Sequence, residues 1–334
     1  MKRFLSKVAF VASRLVAVLS FAGAVSVPAQ QAGSAHESGL QLNAAPHESA
    51  IEKTMVLGAT LAGERIVAVG EEGAILLSDD GGRTFRQAKH VPADSTLTSV
   101  TFVDDRNGWA AGHWGVILRT GDGGETWTLQ RSDTSVDQPI FGIAFKDQEH
   151  GWAVGLWSLM LKTDDGGKTW QTQKAEKGAG MEKGGVNLYS VFLGEKKDVF
   201  ATGEQGLVLK SADDGEKWTV LHTGYKGSLW TGATLGDGAI YVGGLRGHVF
   251  RSDDGGTTWM AVVTGGTSSI TQLLATDKGI AGVGLDGLVI FKKTAANEFK
   301  SHYLSGRDPL TALVVNARGQ EVFFSKNGVG MVIN

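Results

Sequence analysis

Apolar residues in this chain come in short runs, separated by clusters of Gly, Asp, Asn and Ser. Residues 97–103 (LTSVTFV) form one run, and Asp104-Asp105-Arg106-Asn107-Gly108 closes it as a turn. A second run, 109–112, leads through His113-Trp114 to a third, 116–119, and a fourth starts at Trp127. Runs of this length, rich in β-branched and aromatic residues and bounded by turn formers, predict β-strands. Strands this short and apolar suit sheets covered on both faces. No helical periodicity appears after residue 29, so the chain is predicted to be all-β.

The four-run unit repeats. A hairpin of the form G-x-x-G recurs at Gly70/Gly73, Gly112/Gly115, Gly203/Gly206, Gly244/Gly247 and Gly284/Gly287, with altered copies at Gly155/Ser158 and Ser325/Gly328. Its last positions are 42, 43, 48, 41, 40 and 41 residues apart. Seven four-stranded units of this period predict a seven-bladed β-propeller over residues 48–334.

Five units also carry S/T-x-D-x-G-x-T-W/F, an Asp box. The first is Ser78, Asp80, Gly82, Thr84 and Phe85; the others centre on Asp122 with Trp127, Asp165 with Trp170, Asp213 with Trp218, and Asp254 with Trp259. In the fourth copy Lys217 replaces the Thr, and the sixth unit keeps only the aromatic, Phe299. Asp and Ser/Thr side chains can satisfy the amides of their own turn, and Gly supplies a backbone conformation other residues resist. The aromatic is expected to plug the space between blades. Each box offers one or two carboxylates and no bidentate Glu at a fixed offset, so the boxes are read as structural and not as calcium ligands. The seventh unit reaches only its third strand by Asn334. The alternating Gly39-Leu40-Gln41-Leu42 is therefore expected to supply its outer strand and close the ring.

Composition adds three constraints. There are 48 Gly and no Cys, which fits many tight turns and excludes disulfides, zinc knuckles and thiol nucleophiles. Lys2, Arg3, Lys7 and Arg14 precede or enter an apolar stretch, 15–27, that ends at Val27-Pro28-Ala29. This predicts a secretory signal over residues 1–29, cut near Ala29, followed by a flexible lead-in over 30–47 and a periplasmic location. Removing those four basic residues takes the formal net charge from −3 to −7, a poor match to nucleic acid.

If the first strand of each blade is innermost, the hairpin tips and the connections between blades share one face, and the boxes occupy the other. The tips that depart from the small or acidic pattern are His113-Trp114, Leu156-Trp157 and Leu245-Arg246. The second residues of the inner strands are Thr98, Phe141, Tyr189, Trp230, Thr271 and Thr311. Trp114, Trp157, His113, Tyr189, Trp230, Arg246 and Arg307 are accordingly the candidate partner-binding residues, because surface aromatics with nearby charge anchor ligands. The alternative for these aromatics is packing between blades. The longest connection, 173–186, carries Lys174, Lys177 and Lys183 among glycines and reads as a surface loop.

Enzymes of the sialidase type also use Asp boxes. They need a cluster of arginines for the substrate carboxylate and a Tyr nucleophile activated by a Glu. Only Arg246 and Arg307 fall near the expected tunnel mouth, and no metal spacing, serine elbow or phosphate loop is present. A non-catalytic binding module without cofactor or metal is the primary reading; a carbohydrate-active propeller is the alternative.

Asn107-Gly108-Trp109-Ala110-Ala111-Gly112, Gly151-Trp152-Ala153-Val154-Gly155 and the box from Thr163 to Trp170 resemble the photosystem II stability/assembly-factor propellers and their relatives in non-photosynthetic bacteria. The likeness spans residues 48–334. It implies a monomeric assembly factor that binds a membrane or periplasmic protein complex, peripheral to the membrane at most. Photosynthetic members bind a reaction-centre subunit through an arginine-rich patch, and this sequence has no such cluster. The non-photosynthetic relatives imply a periplasmic accessory of a membrane exporter of the resistance-nodulation-division type.

Overall fold

The computed structural model describes residues 41–175, 185–296 and 298–333, and within them the apolar runs are β-strands. Seven antiparallel sheets follow one another along the chain, six with four strands and the last with three among the described residues. Blade two shows the plan: Leu97–Phe102, Gly108–Gly112, Ile117–Thr120 and Thr128–Arg131, each hydrogen-bonded to the next. The inner strands of the other blades are Val56–Ala62, Ile140–Phe145, Leu188–Leu193, Leu229–Thr234, Ile270–Thr276 and Leu310–Val315. Among the described residues no helix is long and apolar enough to cross a membrane.

The core is divided among the seams. Each of seven buried apolar clusters joins two neighbouring blades, and one of them joins the last blade to the first through Val322 and Phe324 against Ile66 and Leu76. The second strands of blades two to six are buried throughout, and those of blades one and seven except at Arg65 and Glu321, because neighbours cover both faces, which is why their residues do not alternate in polarity.

The boxes behave as their chemistry predicts. Ser78 Oγ donates to Asp80 Oδ1 at 2.8 Å and accepts from the Gly82 amide at 2.9 Å. Asp80 also accepts from the Thr84 amide at 3.0 Å and the Thr84 hydroxyl at 2.6 Å. The same set recurs around Asp122, Asp165 and Asp254. Around Asp213 the hydroxyl bond is lost with Lys217, and the amide bond stays at 2.9 Å. The box also bonds across the seam: Arg86 of blade one pairs with Glu125 in the box of blade two, and Lys162 of blade three with Glu216 in that of blade four.

The expected closing strand is corrected by the structure. Gln41 and Leu42 form no strand. Leu42 and Ala45 pack on the junction of blades one and two, the Ala45 amide donates to the Val91 carbonyl at 3.0 Å, and Asn43 bonds Asp94. The polar partners of this segment lie at that junction, on the far side of blade one from the last blade. Gly39 and Leu40 lie outside the described residues, as does the proposed signal. The seam between blades seven and one is held instead by its apolar cluster and by Thr311, whose hydroxyl donates to the Val56 carbonyl at 2.6 Å.

Candidate functional site at the channel mouth

Every inner strand carries an irregularity at its second residue. Pairing with the second strand skips Leu57, Thr98, Phe141, Tyr189, Trp230, Thr271 and Thr311, one per blade. A bulge frees the extra residue from the ladder and re-aims its side chain. All seven bulged residues line one cavity of about 230 Å³ on the propeller axis, and no residue lining it is charged.

Three bulges are latches. Thr98 donates to the Ile140 carbonyl of the next blade at 2.5 Å and to Ala111, Thr271 donates to Leu310 at 2.8 Å and to Val283, and Thr311 donates to Val56. Blade one places Leu57 there, and blades three, four and five place Phe141, Tyr189 and Trp230. None of the three aromatics bonds the carbonyl of the next blade as Thr does, a bond worth about 1 kcal/mol, and Tyr189 spends its hydroxyl on Glu204. Phe141 and Tyr189 stand with ring centroids 5.8 Å apart, and all three aromatics are half-buried.

Glu204, the first residue of the blade-four tip, sits over this arc. Its carboxylate accepts from the Asn187 amide at 3.1 Å, the Asn187 side chain at 3.1 Å and the Tyr189 hydroxyl at 3.2 Å. No cation among the described residues pairs with it. Burial first, and then the Glu204 charge, push the Tyr189 phenol above its usual range, so the hydroxyl stays protonated. A Tyr–Glu pair is part of what a sialidase needs, but no arginine lines the cavity beside this one. No arginine among the described residues bonds either partner.

The second tip residue of six blades adopts a left-handed backbone: Glu72, Trp114, Trp157, Gln205, Arg246 and Asp286. The two tip tryptophans nevertheless differ. Trp114 is half-buried on the cluster joining blades one and two, with its amide bonded to Asp137 and the neighbouring His113 ring 3.0 Å from the same carboxylate. Trp157 is 53% exposed. Arg246 is exposed on blade five, whereas Arg307 lies over the Tyr303 ring at 4.1 Å and pairs with Asp286 at 3.3 Å. Trp157, Tyr189 and Trp230 thus share neighbouring blades, and Trp114 and Arg307 sit apart from them. Of the lysines in the long connection, Lys177 and Lys183 lie outside the described residues. Sequence reasoning missed Glu204 and Asn187. Glu204 occupies the tip position that Glu71 holds in blade one, so nothing in the repeat set it apart.

Blades, boxes and channel together make the chain a seven-bladed Asp-box β-propeller whose channel is lined by aromatics from blades three to five. Residues 126–285, just under half of the chain, match the family described as Photosynthesis system II assembly factor YCF48. Among solved structures it is similar to YCF48 bound to D1 peptide, with a TM-score of 0.67 and 17% identity over 87% of this chain and 97% of that one. It is also similar to YCF48 from Cyanidioschyzon merolae, with a TM-score of 0.66 and 15% identity over 88% and 98% of the two chains. A streptogramin B lyase structure shares the fold at a TM-score of 0.69 and 14% identity, over 88% of this chain and 98% of that one. No curated protein matches the chain in sequence.

Proposed function

We propose that this protein is a non-catalytic, monomeric assembly factor that is exported to the periplasm and holds a segment of a membrane protein complex against its tip face. The observation that carries the reading is the run of aromatics on one arc of the channel: besides Leu57 of blade one, three consecutive blades lack the Thr latch and carry Phe141, Tyr189 and Trp230, beside the exposed Trp157. A repeat that gives up bonds at one arc of its channel has a use for that arc other than folding. Similarity to a YCF48 structure described as bound to D1 peptide supports a peptide-holding role. Trp157, Tyr189 and Trp230 are the central anchors, with Trp114, His113, Arg246 and Arg307 at the periphery. The resemblance to non-photosynthetic relatives favours a membrane exporter as the client. Capture from cell envelopes with wild type and with Trp157→Ala/Trp230→Thr tests this. The double variant should fold and lose the partner; equal capture by both, or turnover of a sialoside by the purified protein, overturns it.

A further inference from the structure

The aromatic arc is paired with an acid, and that combination narrows what it takes. The faces of Phe, Tyr and Trp attract a cation through their ring quadrupoles, and a carboxylate beside them adds a full negative charge. Phe141, Tyr189 and Trp230 line the axial cavity from adjacent blades, and the Tyr189 hydroxyl donates to the Glu204 carboxylate at 3.2 Å. No lining residue is charged, and the neighbours that bond the carboxylate, Asn187 and the Tyr189 hydroxyl, are neutral, so its charge is not neutralised by a cation among the described residues. Of the remaining four blades, three turn the hydroxyls of Thr98, Thr271 and Thr311 onto backbone carbonyls and blade one offers only the aliphatic Leu57, which leaves the aromatic side as the recognition surface. At about 230 Å³ the cavity falls below the roughly 300 Å³ of ordinary small-molecule pockets and suits a single side chain.

We infer that the channel mouth over blades three to five is a cation cage, in which Phe141, Tyr189, Trp230 and Glu204 receive the ammonium or guanidinium end of a basic side chain from the partner segment. This rests on the tip-face reading above and names the chemistry of its ligand. The negative charge of residues 30–334 works in the same direction, because it draws a basic segment toward the protein.

The test is a fluorescence and calorimetric titration of the exported chain at low salt with three Gly-flanked peptides, carrying one lysine, one trimethyl-lysine or one acetyl-lysine. Phosphatidylcholine vesicles form a fourth arm. The lysine and trimethyl-lysine peptides should bind and perturb tryptophan emission, and the acetylated peptide should not. Glu204→Gln should weaken binding about tenfold. Trp230→Thr installs the residue that latches blades two, six and seven, so it should abolish binding without lowering the melting temperature. Equal binding of the acetylated peptide, or no effect of Glu204→Gln, overturns the cage. Binding to vesicles but to neither cationic peptide reassigns it to a lipid headgroup and overturns the proposal as stated. If the peptides fail while Trp157→Ala/Trp230→Thr still loses the envelope partner, the assembly role stands and only the cation assignment falls.

Discussion

The hydroxyl of Thr311 in the last blade donates to the carbonyl of Val56 in the first at 2.6 Å, a bond that spans 255 residues of sequence. It is the counterpart of Thr98 to Ile140 and Thr271 to Leu310, but here it joins the two ends of the ring. Thr311→Val keeps the shape and removes the donor, leaving the Val56 carbonyl short of a partner. It should cost about 1 kcal/mol in urea unfolding, similar to Thr271→Val. No loss at either site would mean that the apolar clusters alone hold the seams.

Gly215 in the fourth box lies against the Trp152 indole of blade three and adopts a φ of 85°. A Cβ there meets the indole ring and strains the backbone as well. Gly215→Ala should cost about 3 kcal/mol, because overpacking and a left-handed non-glycine residue each contribute. Gly236 has no heavy atom within 4 Å of a Cβ and no unusual φ, so Gly236→Ala should change the melting temperature little.

Hydrogen bonds from the Thr258 hydroxyl and amide, and from Ser252, hold the Asp254 carboxyl at about 2. Asp80, Asp122, Asp165 and Asp213 are lowered too. A folded value below the unfolded one, near 3.9, means stability that is fully present above about pH 4 and is lost as pH falls toward 2. Melting temperature should therefore fall steeply between about pH 4 and pH 2, and less steeply in Asp254→Asn. Because the box carboxylates are spent on their own turns, chelator should leave the melting temperature at neutral pH unchanged. A fall with chelator would restore the calcium reading.

Trp127 is 1% exposed and meets Phe102 edge-on at 6.1 Å, with its indole N–H donating to the Gly124 carbonyl. Trp127→Ala should cost about 3–5 kcal/mol through the cavity it leaves. Trp157→Ala removes an exposed ring and should cost less than about 1 kcal/mol. Comparable losses at the two positions would show that Trp157 serves the fold.

The number of blades, the strands and the purpose of each box were legible in the sequence, because all three are local. Asp80 finds Ser78 and Thr84 within four residues, and the G-x-x-G hairpins repeat at the period of one blade. The Thr and aromatic residues at the second position of the inner strands could also be read, and together with the tip tryptophans they pointed to blades two to five. Tertiary structure alone decided the rest. Whether residues 41–48 join the last blade or the first two depends on partners such as Val91 and Asp94, and periodicity carries no information about them. The same holds for Trp114 and Trp157, which occupy one position of one repeat and differ in burial because their neighbouring blades differ. The meeting of Glu204 with Tyr189 depends on bulges that turn one side chain per blade out of its ladder. A one-residue slip in pairing reverses where a side chain points, and only the packed neighbours fix that slip.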